Sequence, residues 1–296
     1  MFRVPLVKDK IKKVPLTKSI FNKDKKLTPE QEDILKAKES LDQPPSVLFF
    51  TIHKCASTFI PPLLRTITRN SNYELKDYAG AIWNLGDQLD IGQDQENFLS
   101  SFLENTADRL FFRKGEIYAP LRIPVDFSER KNFKHILFLR DPRDVLVSSY
   151  YSFGFTHAEP KNAKARKRAQ TKRQLIQQKG IDNYSLDAAR NWLLPTYSKY
   201  KDFYESAESC LYLRYRDFQN DPFKFITSLV KYLDIVIPEQ EIEQLAAQAS
   251  PVQVSTDNTK HKRSGKSKQY LEELNPEIIK ALNEVFAEVL DYWDFE

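Results

Sequence analysis

Glycine is scarce in this sequence, 7 of 296 residues, which is few for an open α/β protein with many tight loops. No G-x-x-x-x-G-K-[ST] stretch occurs anywhere, so the glycine-rich cradle for a nucleoside triphosphate is absent. Cysteine is rarer still. Cys55 and Cys210 are the only two, and no C-x-x-C pair exists. That excludes a disulfide framework and a structural zinc site, and it suits a reducing compartment. No run approaches the ~20 apolar residues needed to span a bilayer. The opening stretch, MFRVPLVKDKIKKVPLTKSIF, is broken by charge and proline and lacks the apolar core of a secretory signal. The expectation is a soluble, cytoplasmic protein. An excess of charge is missing too: 45 basic and 41 acidic side chains leave a net +4. That is too mild to imply nucleic acid and suits a small anionic ligand.

What is present is length for a full core and many aromatics, with 20 Phe, 14 Tyr and 3 Trp. Residues 1–27 are basic and aperiodic and read as an arm. Residues 28–296 read as a single domain, opened by a helix with Thr28 as N-cap and Pro29 at its first position. Ser46–Ile52, Glu116–Leu121, His135–Leu139 and Cys210–Tyr215 read as strands. The first and third are continuous apolar runs of the kind buried on both faces of a parallel sheet. Helical spacing predicts helices over 57–69, starting at or after Pro61-Pro62 or kinked there, and over 141–151, 185–205, ~222–234, ~238–249 and ~276–291, while 70–116 reads as largely irregular, with aromatics that belong to the core or, as the alternative, line a pocket for an apolar or aromatic acceptor. Alternation of strands and helices argues an α/β fold with a central parallel sheet flanked by helices.

Three stretches carry chemistry. In FFTIHKCASTFIPPLLRTI, residues 49–67, a strand runs into a turn and then a helix. The turn packs Lys54 with the hydroxyls of Ser57 and Thr58. Helix N-termini expose unpaired N–H groups and positive potential, so the turn is built to hold a phosphate. In LFLRDPRDVLVSSYY, residues 137–151, Arg140 closes a strand and Ser148 follows eight residues on. Asp141 reads as a helix N-cap, with Arg140 and Arg143 on a solvated rim as the plainer alternative. HILFLRD also passes for the acidic strand end that holds Mg²⁺ in P-loop NTPases. In KHKRSGKSKQY, residues 260–270, six basic side chains surround Ser264-Gly265, and the glycine lets backbone approach an anion closely.

In order and spacing these stretches resemble the nucleotide-binding motifs of the sulfotransferases that use PAPS, 3′-phosphoadenosine 5′-phosphosulfate. The family's P-K-S-G-T-T-W falls on His53–Phe59, matching at Lys54 and Thr58 and conservatively at Ala56, Ser57 and Phe59. Its strand-end arginine with a serine eight residues later falls on Arg140 and Ser148. Its C-terminal R-K-G falls on Arg263-Ser264-Gly265, with serine replacing lysine. YRDFQNDP, residues 215–222, is similar to a further segment whose tyrosine, here Tyr215, lies beside the adenine. The resemblance implies a P-loop-like topology. It implies a cofactor loop of Lys54, Cys55, Ala56, Ser57, Thr58 and Phe59 around the 5′-phosphate, with Arg140, Ser148 and Arg263 to Gly265 on the 3′-phosphate. It implies transfer of a sulfuryl group from PAPS to a hydroxyl or amine of a small-molecule or carbohydrate acceptor, without a metal, leaving adenosine 3′,5′-bisphosphate. Lys54 would be catalytic, stabilising charge on the bridging oxygen.

The family's K-T-H-x-P stretch, whose histidine takes the acceptor proton, falls on Glu116-Ile117-Tyr118-Ala119-Pro120. Tyrosine, with a pKa near ~10, is a poor base. Glu116 is therefore expected as the base, with Tyr118 orienting the acceptor and His157 as the alternative. Residues 161–173 hold seven basic side chains and no acid. They read as a solvated helix or mobile loop, or more sharply as a lid or a docking surface for an acidic acceptor. The rival functions are a P-loop-type nucleotide kinase or NTPase and a non-catalytic basic module for polyanions or RNA.

Overall fold

The computed structural model describes residues 43–57, 59–89, 95–111, 114–157, 159–160, 162–249 and 266–295. The basic arm, the helix start at Thr28, and the site candidates Thr58, Arg263, Ser264 and Gly265 lie outside the described residues. Among the described residues the strands are β1 (Val47–Thr51), β2 (Glu74–Lys76), β3 (Glu116–Leu121), β4 (Lys134–Leu139) and β5 (Cys210–Arg214). They form one sheet in the order β2-β3-β1-β4-β5, and every pairing is parallel. All five residues of β1 are buried, as are the last five of β4, which is why both read as unbroken apolar runs. Parallel pairing brings every carboxyl end to one edge. The chain leaves β1, builds β3 on one side of it and β4 on the other. That reversal opens a crevice at the carboxyl edge, where α/β sheets bind ligands.

The helices are α1 (Ile60–Ile67), α2 (Tyr78–Leu89), α3 (Gln95–Leu110), α4 (Pro142–Tyr151), α5 (Ala163–Ala188), α6 (Leu194–Glu205), α7 (Tyr215–Asn220), α8 (Pro222–Leu233), α9 (Glu239–Ala249), α10 (Tyr270–Glu273), α11 (Pro276–Val285) and α12 (Ala287–Tyr292). None is long and apolar enough to cross a membrane. Pro61 and Pro62 occupy the first turn of α1, where their missing N–H groups are not needed, so the helix opens at Ile60, one residue before the pair expected to limit it. Asp141 caps α4 by accepting from the Arg143 N–H, and Asn275 caps α11 by accepting from the Glu277 N–H. The expected helix over ~276–291 divides at Phe286, whose ψ of 12° leaves the helical range. Residues 70–116 are more regular than predicted. β2 has only three residues and exists by pairing with β3, a tertiary effect that local pattern does not carry. Among the described side chains of α3 the buried ones form the narrow stripe Leu99, Leu103 and Ala107, a weak periodic signal.

Aromatic side chains fill the core and also fasten the functional edge. Tyr200 of α6 donates its hydroxyl to the carbonyl of Thr51, the last residue of β1, at 2.7 Å. Tyr197, one turn earlier, donates to the carbonyl of Arg140, the residue after β4. Both tyrosines are fully buried. Both bonds end on backbone carbonyls at strand ends, so one helix fixes the ends of two neighbouring strands. Tyr73 and Phe111 are likewise core, as their region was expected to be.

Candidate functional site

The turn after β1 has the backbone shape of an anion nest. Lys54 has φ +67° and Ala56 has φ +47°, both left-handed. Alternation through that region turns successive N–H groups inward. Ala56 stands where the resembling motif has glycine, so the turn keeps the glycine conformation without the residue, at a cost of roughly 1–2 kcal/mol. The turn is tied down from below. Thr51 Oγ1 donates to the Phe138 carbonyl at 2.9 Å, and Cys55 Sγ donates to the same oxygen at 3.4 Å. Cys55 is fully buried, and burial pushes its thiol up to about 12. Its side chain is therefore an anchor, and only its backbone can serve a ligand. Phe59 packs on Phe218, with ring centroids 5.2 Å apart, and supports the turn from the core. Among the described residues no acceptor receives the N–H groups of Ala56 and Ser57.

Three cations from three strands meet this turn. Lys54 follows β1, Arg122 follows β3 and Arg140 follows β4. Burial, then the charges of Arg140 and Arg122, lower the Lys54 ammonium from its ordinary range to about 8. Arg122 Nη2 donates to Ser57 Oγ at 3.4 Å. Arg140, only 3% exposed, donates to the carbonyls of Lys54 at 3.1 Å and Lys266 at 2.9 Å. Its guanidinium lies 4.4 Å above the Tyr215 ring, a cation–π contact that holds Tyr215 beside Arg140. Arg140 Nε is buried with no acceptor among the described residues. Its nearest carboxylate, Asp144, is 3.8 Å away and is shared with the N–H groups of Lys268 and Tyr270. Burial raises the Asp144 carboxyl, while Arg140 holds it down. The donors thus outnumber the acceptors, which fits a ligand carrying phosphate oxygens.

Ser148 is the one half-exposed position in the stretch from Pro142 to Tyr150, four residues from Asp144, which is itself four from Arg140. Helical spacing puts Asp144 and Ser148 on one face of α4, and the 3.8 Å ion pair brings Arg140 to the first of them. Lys266, the residue after Gly265, brings its carbonyl to Arg140, so the chain that leaves the basic stretch ends at this site. Arg143 does not sit on a solvated rim. It is 5% exposed, pairs with Asp141 at 2.6 Å, donates to Asn283 at 2.7 Å and lies over Tyr270. Asp141 is thereby engaged twice, as cap and as ion-pair partner, and is not an open Mg²⁺ ligand. No group of three or more His, Cys, Asp or Glu among the described residues is placed to hold a metal.

Two expected catalytic residues are not brought here. Glu116 is the first residue of β3, and its N–H bonds Ser46 Oγ at 2.9 Å, before β1 begins. The turn starts beyond Thr51, roughly 17 Å further along the sheet at ~3.3 Å per residue. Tyr118 is fully buried, packed against Phe111 at 4.8 Å and Tyr78 at 5.3 Å, and its hydroxyl donates to Glu116. The x-Pro ending that aligned Tyr118 with the family's histidine occurs again at Arg122-Ile123-Pro124. The second copy is the one at the carboxyl edge, because β3 runs on through Leu121. Arg122 and His53 were the residues missed. His53 precedes Lys54, half-buried, with its ring 6.4 Å from Phe153 and 6.2 Å from Trp192. The charge of His157 also reaches it. Ala56→Gly should raise the unfolding free energy by ~0.5–1 kcal/mol in a denaturant titration, since relief of the left-handed strain outweighs the added freedom of the unfolded chain. Lower stability would mean that the turn is not strained.

The fold matches solved sulfotransferases. A mouse sulfotransferase complexed with PAP aligns over 86% of this chain and 89% of that chain, at 11% identity and TM-score 0.55. Retinol dehydratase in complex with androsterone and the inactive cofactor PAP aligns over 90% of this chain and 95% of that chain, at 15% identity and TM-score 0.51. A search of the curated proteins found no match. The sulfotransferase domain model matches residues 44–294, which takes in the nest, the three cations and the last helix, and the chain belongs to that family.

Proposed function

We propose that this sulfotransferase takes its sulfuryl group from PAPS and passes it to a hydroxyl or amine of an acceptor. The observation that carries the reading is the meeting of Lys54, Arg122 and Arg140 at one edge of a parallel sheet, over a turn in which the N–H groups of Ala56 and Ser57 find no acceptor among the described residues. The relatives solved with PAP, adenosine 3′,5′-bisphosphate, support the choice of donor. The fully buried thiol of Cys55 and the half-buried one of Cys210 are both free, which fits a reducing, cytoplasmic setting. A nucleotide kinase is disfavoured by the engaged Asp141 and the absence of a glycine-lysine loop.

In the reaction the acceptor atom bonds to sulfur, the bond from sulfur to the 5′-phosphate oxygen breaks, and the acceptor proton leaves. Lys54 and the N–H groups of Ala56 and Ser57 meet the negative charge that collects on the phosphate. Arg140 and the half-exposed Ser148 hold the 3′-phosphate, which uses the unpartnered Nε. Arg122 stands between the first loop and the acceptor side. The proton goes to His53, the imidazole adjacent to Lys54. Burial, then Arg122, Lys54, His157 and Lys172, lower it to about 3, so the ring is neutral at physiological pH. A bound anion reverses part of that charge balance and raises its basicity toward the useful range.

Calorimetry with PAP and AMP, without metal, tests the donor. A 3′-phosphate that gains charge-assisted hydrogen bonds is expected to tighten binding by ~10–100-fold. Equal, weak binding of the two nucleotides overturns the reading. With PAPS and a phenolic acceptor, His53→Asn should lower kcat by ~10²-fold or more while PAP affinity holds, and Glu116→Gln should leave turnover near that of the parent. The reverse pattern would return the base to Glu116.

A further inference from the structure

α5 opens with a run of basic residues in which no acid occurs between Glu159 and Asp182. Lys164, Lys167, Arg168 and Lys172 are all exposed. Lys164, Arg168 and Lys172 are spaced i, i+4, i+8, with Lys167 beside them, so they share one face and span roughly 12 Å at ~1.5 Å per residue. The neighbouring face is the one that docks. Arg166, Gln170 and Arg173 reach Glu159, Arg173 also donates to the His157 carbonyl, and Gln177 donates to the Gly154 carbonyl at 2.6 Å. These contacts fasten α5 to the π-helical turn Ser152–Thr156. Gly154 permits that approach, since a Cβ there would lie 3.1 Å from Ile176.

The turn carries Phe153, whose ring is 5.5 Å from His157, 6.2 Å from Trp192 and 6.4 Å from His53. Two apolar rings and two imidazoles thus form a cluster that ends at the residue before Lys54, and α5 meets it where Arg173, next to Lys172, donates to the His157 carbonyl. The charge of Lys172 is among those that lower the His53 imidazole. A wall that alternates flat apolar faces with hydrogen-bonding nitrogens suits a compound with C–H faces and hydroxyl edges. A row of exposed cations leading to it suits negative charge repeated along the same molecule.

Resting on the sulfuryl-transfer reading, we propose that the acceptor is an acidic saccharide, with its reacting hydroxyl at the His53–Phe153–Trp192 wall and its anionic groups along Lys164, Arg168 and Lys172. The cationic face then selects the acceptor, while Lys54 and Arg140 hold the donor. The helix adds no group to the chemical step; it positions the substrate.

The PAP-bound protein is titrated with carboxymethyl dextran, with neutral dextran of the same length, and with polyglutamate of matched charge. Carboxymethyl dextran is expected to bind and neutral dextran not to. Lys164→Glu/Lys167→Glu/Arg168→Glu should weaken that binding by roughly tenfold or more and leave PAP affinity unchanged. Equal binding of polyglutamate, or retention of carboxymethyl dextran by the charge-reversed variant, overturns the proposal. Absence of binding to either charged polymer does so too. PAP affinity in the unsubstituted protein is read in the same experiment. Its failure would sink the donor assignment, whereas its persistence with no preference for the acidic dextran sinks only the acceptor class.

Discussion

Buried positive charge without matching negative charge is the constraint on which this structure turns. Lys54 and Arg140 are held close together, Arg122 adds a third charge, and the charges that act on Lys54 are both of its own sign. Such an arrangement works against folding, because desolvation and repulsion both oppose it. It persists because the surroundings over-determine it. Arg140 is gripped by two carbonyls and rests on Tyr215, and its one near carboxylate is shared with two backbone N–H groups. A bound polyphosphate would turn the same repulsion into attraction, so the folded protein carries the complement of its ligand.

The scaffold's contribution is to bring three strand ends to one place without flexible loops. Parallel pairing aligns the ends of β1, β3 and β4. Tyr197 and Tyr200 lock the carbonyls at two of them. Cys55 and Thr51 fasten the turn to β4 through the single carbonyl of Phe138. This explains the aromatic-rich, glycine-poor composition. Buried hydroxyls and ring packing hold the backbone shape that a glycine-rich loop reaches through conformational freedom.

Much of this was legible in the sequence, for physical reasons that also explain the rest. β1 and β4 are buried on both faces, so their apolar runs announced them and placed Lys54 and Arg140 at strand ends. The caps of α4 and α11 were readable because Asp-Pro and Asn-Pro carry a local mechanism. The distance of Glu116 and Tyr118 from this edge was not readable. β3 continues past the first x-Pro to Leu121, and only its pairing with β1 tells which of two x-Pro endings stands at the functional edge. β2 was invisible because three residues form a strand only when a partner exists. The basic stretch at 161–173 showed its charge in sequence. The contacts that α5 makes with the turn at 152–156 were not legible there, because they join segments by tertiary packing.

The central claim is that the charges at the carboxyl edge await an anion. The side-chain titration of Lys54, followed by NMR with and without adenosine 3′,5′-bisphosphate, tests it most directly. In the free protein the ammonium should lose its proton near pH 8, where burial and the two arginines place it. With the nucleotide bound, phosphate charge should carry that titration above the ordinary lysine value of ~10.4. A Lys54 that titrates at the ordinary value in the free protein, or one unmoved by the nucleotide, would contradict the account.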